Sequence, residues 1–265
     1  MDYSDFEDLL VEVVDGVGHF RINRPETLNA MRTNTFHEIV ELGRRFAADD
    51  EVRCVLCTHE GRGFSAGADL TDRDPSNPAA PTRAAASHSM GVSEIGAVMA
   101  SLDKPTIAAI DGVAAGGGMG FATSFDIRIL GPNARFITVF ARRALAPDCG
   151  LSYFLPKLVG HAKALELMFT ARDVMAEEAV QIGLGNMLVD DAEATAWEMA
   201  RELAAGPTLA YMWAKRDILN SWTGQSVQQQ VEFEWSGQNQ LRGSKDVVEG
   251  RMSFVENRAP NFTGE

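Results

Sequence analysis

The segment from Thr106 to Gly131, "TIAAIDGVAAGGGMGFATSFDIRILG", narrows the possible architectures more than any other part of the chain. A run that reads as a strand, "TIAAIDGVA", leads directly into Gly116, Gly117 and Gly118. A helix opens on those glycines, and a second strand, "DIRILG", follows it. Strand, helix and strand at this spacing argue for a mostly parallel α/β core. Glycine gives up more backbone freedom on folding than any other residue. Three in a row therefore let something approach the backbone closely, or let the chain turn sharply. The start of the helix presents free N–H groups and a positive dipole end. Neither phosphate-binding pattern fits, since there is no GxxxxGK[ST] and "GVAAGG" lacks the GxGxxG spacing. A developing oxyanion suits these donors better than a pyrophosphate. Close helix–sheet packing is the alternative use of the same glycines.

Around this segment the pattern is readable in pieces. "LLVEVV" and "VGHFRI" form a hairpin that turns at Asp15-Gly16. "NRPETLNAM" is irregular. "TFHEIVELGRRFAADD" is a helix, with Phe36, Ile39, Val40 and Phe46 at helical spacing. "VRCVLCT" is a short buried strand and "HEGRGFSAGADL" a Gly-rich loop. The polar, Pro-rich "TDRDPSNPAAPTRAAAS" is expected to be a mobile surface loop. "SEIGAVMASLD" is a helix ended by Lys104-Pro105. From Gly150 onward the chain reads as almost entirely helical, through "AKALELMFT", "AEEAVQIG", "DAEATAWEMARELAAG", "TLAYMWAKRDILNSW" and "VQQQVEFEWSGQNQL". The last of these is polar with scattered Phe and Trp. That suits a helix docking on another copy or on its own subunit. No internal repeat is visible.

The 265 residues suit one large domain, or a domain with a helical extension. The expected division is a core over 1–200 and a C-terminal helical region over 201–265. A net charge of −13 argues against non-specific nucleic-acid binding. No apolar run approaches the ~18 residues of a membrane span. "MDYSDFEDLL" lacks the pattern of a signal peptide, so a cytoplasmic location is expected. Cys54 and Cys57 face opposite sides of their strand and read, with Cys149, as reduced structural thiols rather than a redox or metal pair. The five histidines show no metal-ligand spacing, and no metal is expected.

"GRGFSAGADL" also places a small-residue turn after a strand. Two such loops after parallel strands can meet at one sheet edge, where ligands bind. One N–H from each would make a two-donor oxyanion hole. "NRPETLNAM", "GRGFSAGADL", "AAIDGVAAGGGMG" and "LAPDCGLSYFLPKLVG", in this order and at this spacing, resemble the crotonase superfamily, also called the enoyl-CoA hydratase/isomerase family. The resemblance runs through the terminal "EGRMSFVENRAPNFTGE" and covers nearly the whole chain. It implies a spiral of small ββα turns with a C-terminal helical region that forms trimers, often paired into hexamers. It implies an acyl-CoA thioester as substrate, with coenzyme A part of that substrate and no separate cofactor. By match, the N–H groups of Ala68 and Gly117 hold the thioester carbonyl. Leu28, Ala66 and Asp69 lie along the coenzyme A, and Met119, Gly120 and Phe140 border the acyl group.

Hydratases of this family use two glutamates to add water. Their positions here are Gly120 and Phe140, and neither side chain transfers a proton. Asp148, in "LAPDCG", matches the position where isomerases and a dehalogenase of the family carry a catalytic aspartate. Leu145, Ala146 and Pro147 on one side, and Cys149 and Gly150 on the other, are expected to give it an apolar setting that raises its pKa. Capping of the following helix is the structural alternative for Asp148, compatible with catalysis. The motifs are most similar to the isomerase branches, of the ring-epoxide and 3,2-enoyl types. The dehalogenase branch has tryptophan where Phe140 stands and histidine where Ser93 stands, which argues against aryl dehalogenation. The expected activity is acyl-CoA isomerisation, with Asp148 as base and then acid and with Phe140 and Met119 excluding water. Hydration or hydrolysis directed by Asp148, and acyl-CoA binding without catalysis, are the alternatives. The loop 71–87 and the helix through Ile95 and Met99 are expected to shape the acyl pocket.

Overall fold

The hairpin forms where its turn residues place it. Strand β1, Leu9–Val14, pairs antiparallel with β2, Val17–Ile22. Asp15 and Gly16 between them both have positive φ, at 53° and 78°, as a two-residue hairpin turn needs. The computed structural model describes residues 1–72 and 94–265. The Pro-rich segment beyond Asp72 and Ser93 lie outside the described residues. Helix α1, Thr33–Ala48, buries Phe36, Ile39, Val40 and Phe46, the four residues at helical spacing, together with Leu42. Strand β3, Cys54–His59, lies parallel to β2 and is buried over most of its length. Cys54 and Cys57 are free thiols within it. Burial pushes the Cys54 thiol up to about 12 and Cys57 well above its ordinary value.

Two stretches that read as single units are each divided. "HEGRGFSAGADL" contains a short strand, β4, Gly63–Ser65. After α2, Glu94–Ala100, the run "TIAAIDGVA" splits into β5, Thr106–Ile110, and β6, Val113–Ala115. Gly112 makes the split possible, because a Cβ there would fall 2.3 Å from the Arg62 carbonyl oxygen. Helix α3, Gly117–Thr123, and β7, Ile127–Leu130, follow as expected. A further short strand, β8, Arg135–Ile137, has no counterpart in the sequence reading.

Beyond it the chain is mainly helical: α4, Leu151–Val159; α5, His161–Thr170; and α6, Ala176–Gln181. Two two-residue strands flank α6, namely β9, Val174–Met175, and β10, Met187–Leu188. Then come α7, Ala192–Ala204; α8, Thr208–Ser221; α9, Val227–Leu241; and α10, Lys245–Glu256. Residue 200 falls inside α7. Among the described residues no helix is long and apolar enough to cross a membrane.

The strands sort into two sheets, of order β1-β2-β3-β5-β7-β10 and β4-β6-β8-β9. In three successive strand pairs, β3–β4, β5–β6 and β7–β8, the first strand joins the larger sheet and the second the smaller one. The chain thus winds forward by a repeated two-strand step, with parallel pairing inside each sheet. Phe20, Phe36, Phe46, Phe64, Phe121 and Phe136 fill the main core. On the other face of the larger sheet, Ala192, Ala196, Ala200 and Ala204 line one side of α7. Their small side chains sit against Val17, Leu56, Ile107 and Ile129.

Candidate active site

The site is assembled where two glycine-bearing loops touch. On the first loop, Met31 and Ala68 form an isolated parallel bridge. Met31 N–H donates to the Gly67 carbonyl (2.7 Å), and Asp69 N–H donates to the Met31 carbonyl (2.8 Å). Successive backbone groups in an extended segment point to opposite sides, so the Ala68 N–H is turned away from Met31. Ala66 N–H donates to the Leu28 carbonyl (2.9 Å). Leu28, Ala66 and Ala68 therefore lie along one partly exposed strip.

On the second loop, Gly116 takes φ 51° and caps α3, and Gly117 is the first helical residue. An N–H at that position has no acceptor inside its own helix. The glycines here have separate roles. A Cβ on Gly67, which has φ 90°, would stand 2.6 Å from the Ala115 carbonyl oxygen and 3.4 Å from Gly117 N, so the two loops are in direct contact. A Cβ on Gly118 would stand 2.4 Å from the Ser65 carbonyl oxygen. Gly118 thus serves close packing against Ser65, whereas Gly117, also buried, faces the turn at Asp148–Cys149. A Cβ on Gly117 would meet Asp148 Oδ1 at 3.5 Å and Cys149 Sγ at 3.1 Å. The structure therefore brings Ala68, Gly117 and Asp148 together.

Asp148 is carried on a tight turn, with Cys149 at φ 53° and Gly150 at φ 81°. A left-handed conformation at a residue other than glycine costs about 1–2 kcal/mol, so the surroundings must hold it. Two glycines do so. A Cβ on Gly120 would lie 2.8 Å from Cys149 Cβ and 3.1 Å from the Asp148 carbonyl oxygen. A Cβ on Gly96, in α2, would lie 2.3 Å from the Cys149 carbonyl oxygen. The space over Gly120 is thus filled by the backbone of Asp148 and Cys149.

Gly150 occupies the N-cap position of α4, and Asp148 contributes its carbonyl, which accepts Leu151 N–H at 3.0 Å. The apolar setting expected for Asp148 is present on one side only. Cys149 is fully buried, but Leu145 is 59% exposed, and Ala146 and Pro147 are exposed too. After Phe140 the chain makes a short 3₁₀ turn that ends at Ala144 in the left-handed region, and this carries residues 141–147 off the core. Phe140 itself stays buried, its ring 3.9 Å from where a Cβ on Gly116 would lie. Met119, Ile95 and Met99 are fully buried in the main core.

The loop that carries Ala68 is braced by polar groups, of which the sequence reading assigns a role only to Asp69, along the coenzyme A. Asn29, at φ 56°, donates its side-chain amide to the carbonyls of Glu60 (2.9 Å) and Gly63 (2.6 Å). Its Oδ1 accepts Arg24 N–H at 2.7 Å. Ser65 Oγ donates to the Asn29 carbonyl (2.8 Å) and accepts Gly67 N–H (3.2 Å). Asp69 is buried; its Oδ1 accepts from the Thr71 N–H and hydroxyl, and its Oδ2 from Arg24 Nη1 at 3.1 Å. Burial pushes the Asp69 carboxyl up, but the Thr71 and Arg24 donors outweigh it and hold the pKa below the ordinary value. The available signal was an asparagine inside "LNAM", since asparagine tolerates the left-handed region that other residues avoid. Among the described residues, no group of three or more His, Cys, Asp or Glu is placed to hold a metal.

Comparison with known proteins gives a consistent match. The family profile described as enoyl-CoA hydratase/isomerase matches residues 12–265. The 1,2-epoxyphenylacetyl-CoA isomerase of Escherichia coli (strain K12) is 36% identical, over 98% of this chain and 99% of that protein. The 4-chlorobenzoyl coenzyme A dehalogenase-2 of an Arthrobacter species is 34% identical, over 78% of this chain and 76% of its own. A solved structure of an enoyl-CoA hydratase-like protein from Streptomyces coelicolor A3(2) superposes with a TM-score of 0.93 at 30% identity, covering 100% of this chain and 97% of that one.

Proposed function

This chain belongs to the enoyl-CoA hydratase/isomerase family, and from that premise we propose that it is an acyl-CoA isomerase with Asp148 as its single acid–base group. The carrying observation is the pairing of Asp148 Oδ1, 3.5 Å from a Cβ position on Gly117, with a Gly120 site closed by the Asp148–Cys149 backbone. Asp148 removes a proton from the carbon next to the thioester of a β,γ-unsaturated acyl-CoA. Charge moves onto the thioester oxygen, where the N–H groups of Ala68 and Gly117 stabilise it. The protonated Asp148 then delivers the proton to the γ-carbon, the far carbon of the original double bond, and the double bond comes to lie between the α and β carbons. One carboxylate is enough because one proton leaves and one arrives. Rearrangement of a ring epoxide is a special case for the same constellation.

Hydration would need a second group to hold and activate water. Gly120 has no room for one, and the buried Phe140 offers an apolar ring. Both features favour isomerisation over hydration, as does the isomerase name of the Escherichia coli relative. Coenzyme A enters as part of the substrate. The test is incubation with matched 3-enoyl- and 2-enoyl-CoA in heavy water, followed by mass spectrometry. Interconversion with deuterium uptake and no hydroxyacyl product is expected. Asp148→Asn is expected to lose about 10²- to 10⁴-fold in rate while still binding the thioester. Rapid Asp148-dependent addition of water would overturn the isomerase reading, and unchanged turnover in Asp148→Asn would remove Asp148 from the chemistry.

A further inference from the structure

We propose that Arg24 is a positioning residue for the oxyanion-binding loop, acting on the Ala68 N–H through the bridge that it clamps; this rests on Ala68 being a donor in the proposed reaction. The Met31–Ala68 bridge has two backbone hydrogen bonds and, among the described residues, belongs to no strand ladder; the nearest backbone bond between the same segments is Ala66 N–H to the Leu28 carbonyl. A rotation of the peptide units around Ala68 would swing its N–H out of line. Arg24 Nη1 donates to two acceptors at once, the Ala30 carbonyl and Asp69 Oδ2. Ala30 precedes Met31 and Asp69 follows Ala68. A single guanidinium nitrogen therefore ties together the residues that flank the bridge on both of its chains.

Arg24 is itself fixed in place. Its N–H donates to Asn29 Oδ1 (2.7 Å), and its carbonyl accepts Asn29 N–H (2.8 Å). Asp8 Oδ1 stands 3.9 Å from Arg24 Nε, and the Asp8 carboxylate is anchored in turn by Arg32 and Thr35. The Arg24 and Asp69 side chains are only 14% and 10% exposed, so water competes poorly for the pair. A planar guanidinium can serve acceptors that a lysine ammonium, a single point on a flexible stem, does not serve in the same geometry. The clamp thus links the entry to β1, through Asp8, with the loop that presents Ala68.

The test uses the full-length variants Arg24→Lys and Asp69→Asn. The asparagine keeps an acceptor for Thr71 and removes the charge facing Arg24. Amide exchange at Met31 and Asp69 reports the bridge directly. Exchange about ten- to hundredfold faster is expected in both variants, the effect of losing a charged hydrogen bond. The rate of 3-enoyl-CoA isomerisation is expected to fall about ten- to hundredfold with KM nearly unchanged. A merely structural residue would lower Tm without this split between kcat and KM. Unchanged exchange in both variants overturns the clamp. Faster exchange with wild-type kcat overturns the positioning role. A wild-type protein inert toward both enoyl-CoA esters overturns the isomerase reading alone, and the exchange measurement still decides whether Arg24 holds the bridge. If Arg24→Lys melts too low to assay, Asp69→Asn carries the same comparison.

Discussion

Replacing Gly120 with alanine adds one methyl group to α3 at a position outside the left-handed region, so the helix itself gains. Alanine is favoured over glycine there by about 0.5–1 kcal/mol. The methyl, however, would stand 2.8 Å from Cys149 Cβ, 3.0 Å from the Cys149 carbonyl oxygen and 3.1 Å from the Asp148 carbonyl oxygen. Two of these three neighbours are backbone atoms, and Gly96 closes on the same carbonyl of Cys149 from α2. The turn must therefore move by about half an ångström or more to reach ordinary contact distance. Overpacking of this kind costs about 1–3 kcal/mol. Set against the helix gain, the net loss is at most about 2.5 kcal/mol, which lowers Tm by no more than about 5–10 °C. The effect on rate is larger than stability suggests, because the atoms that move carry Asp148. A misplacement on the ångström scale costs about a hundredfold. Deuterium uptake from heavy water into 3-enoyl-CoA, read by mass spectrometry beside a thermal melt, is expected to slow ten- to hundredfold in a protein that remains folded. Wild-type uptake in Gly120→Ala would refute the argument. So would a Gly120→Glu variant that adds water and still isomerises, because the space above Gly120 would then be open.

The C-terminal helices expose Val231, Trp235, Val248, Met252, Phe254 and Val255, and light scattering is expected to find a homotrimer or a dimer of trimers; a monomer at micromolar concentration would contradict this. Asp8 is pushed up by burial, but hydrogen bonds from Arg32 and Thr35 outweigh that and hold its pKa below the ordinary 3.8. Its contribution to stability is therefore complete above about pH 4 and is lost as pH falls through the lower folded value. Arg32→Gln should cost about 1.5–3 kcal/mol in urea unfolding at pH 7 and less at pH 3, whereas an equal loss at both would break the assignment. Cys54 and Cys57 should resist thiol reagents at pH 8 until the protein unfolds, and native labelling of either would show that the strand is not closed over them.

Local chemistry was readable along much of the chain. Asp15-Gly16 accepts the positive φ of its hairpin, and the spacing of Phe36, Ile39, Val40 and Phe46 is a helix period that α1 obeys. The three-residue strands were not readable as separate units. Gly63–Ser65, Val113–Ala115 and Arg135–Ile137 are too short to carry a period of two, and they exist because they pair with one another across long sequence separations. The repeated two-strand step has no sequence repeat behind it either. What recurs is the direction the chain takes at each sheet crossing, and at Gly112 that direction is set by the approach of the Arg62 carbonyl, an atom fifty residues away in sequence.

The site was readable as a set of positions, since the glycine triplet, the Gly-rich loop and "PDCG" each held a residue that the fold brings together. The sequence reveals that a glycine is present but not which atom would meet its side chain. That meaning differs at each position: Gly67 admits the second loop, Gly118 admits Ser65, and Gly117 faces Asp148. Gly96 drew no notice inside an ordinary helix, yet it and Gly120 close on Cys149 from two helices. Through the family resemblance, Gly120 reads as a carboxylate lost from a hydratase-like site. In three dimensions the Asp148–Cys149 backbone occupies the volume a side chain at 120 would need, in a left-handed turn that the surrounding glycines permit. The missing acid at 120 and the placement of the acid at 148 are then a single packing arrangement, and neither can be altered without disturbing the other.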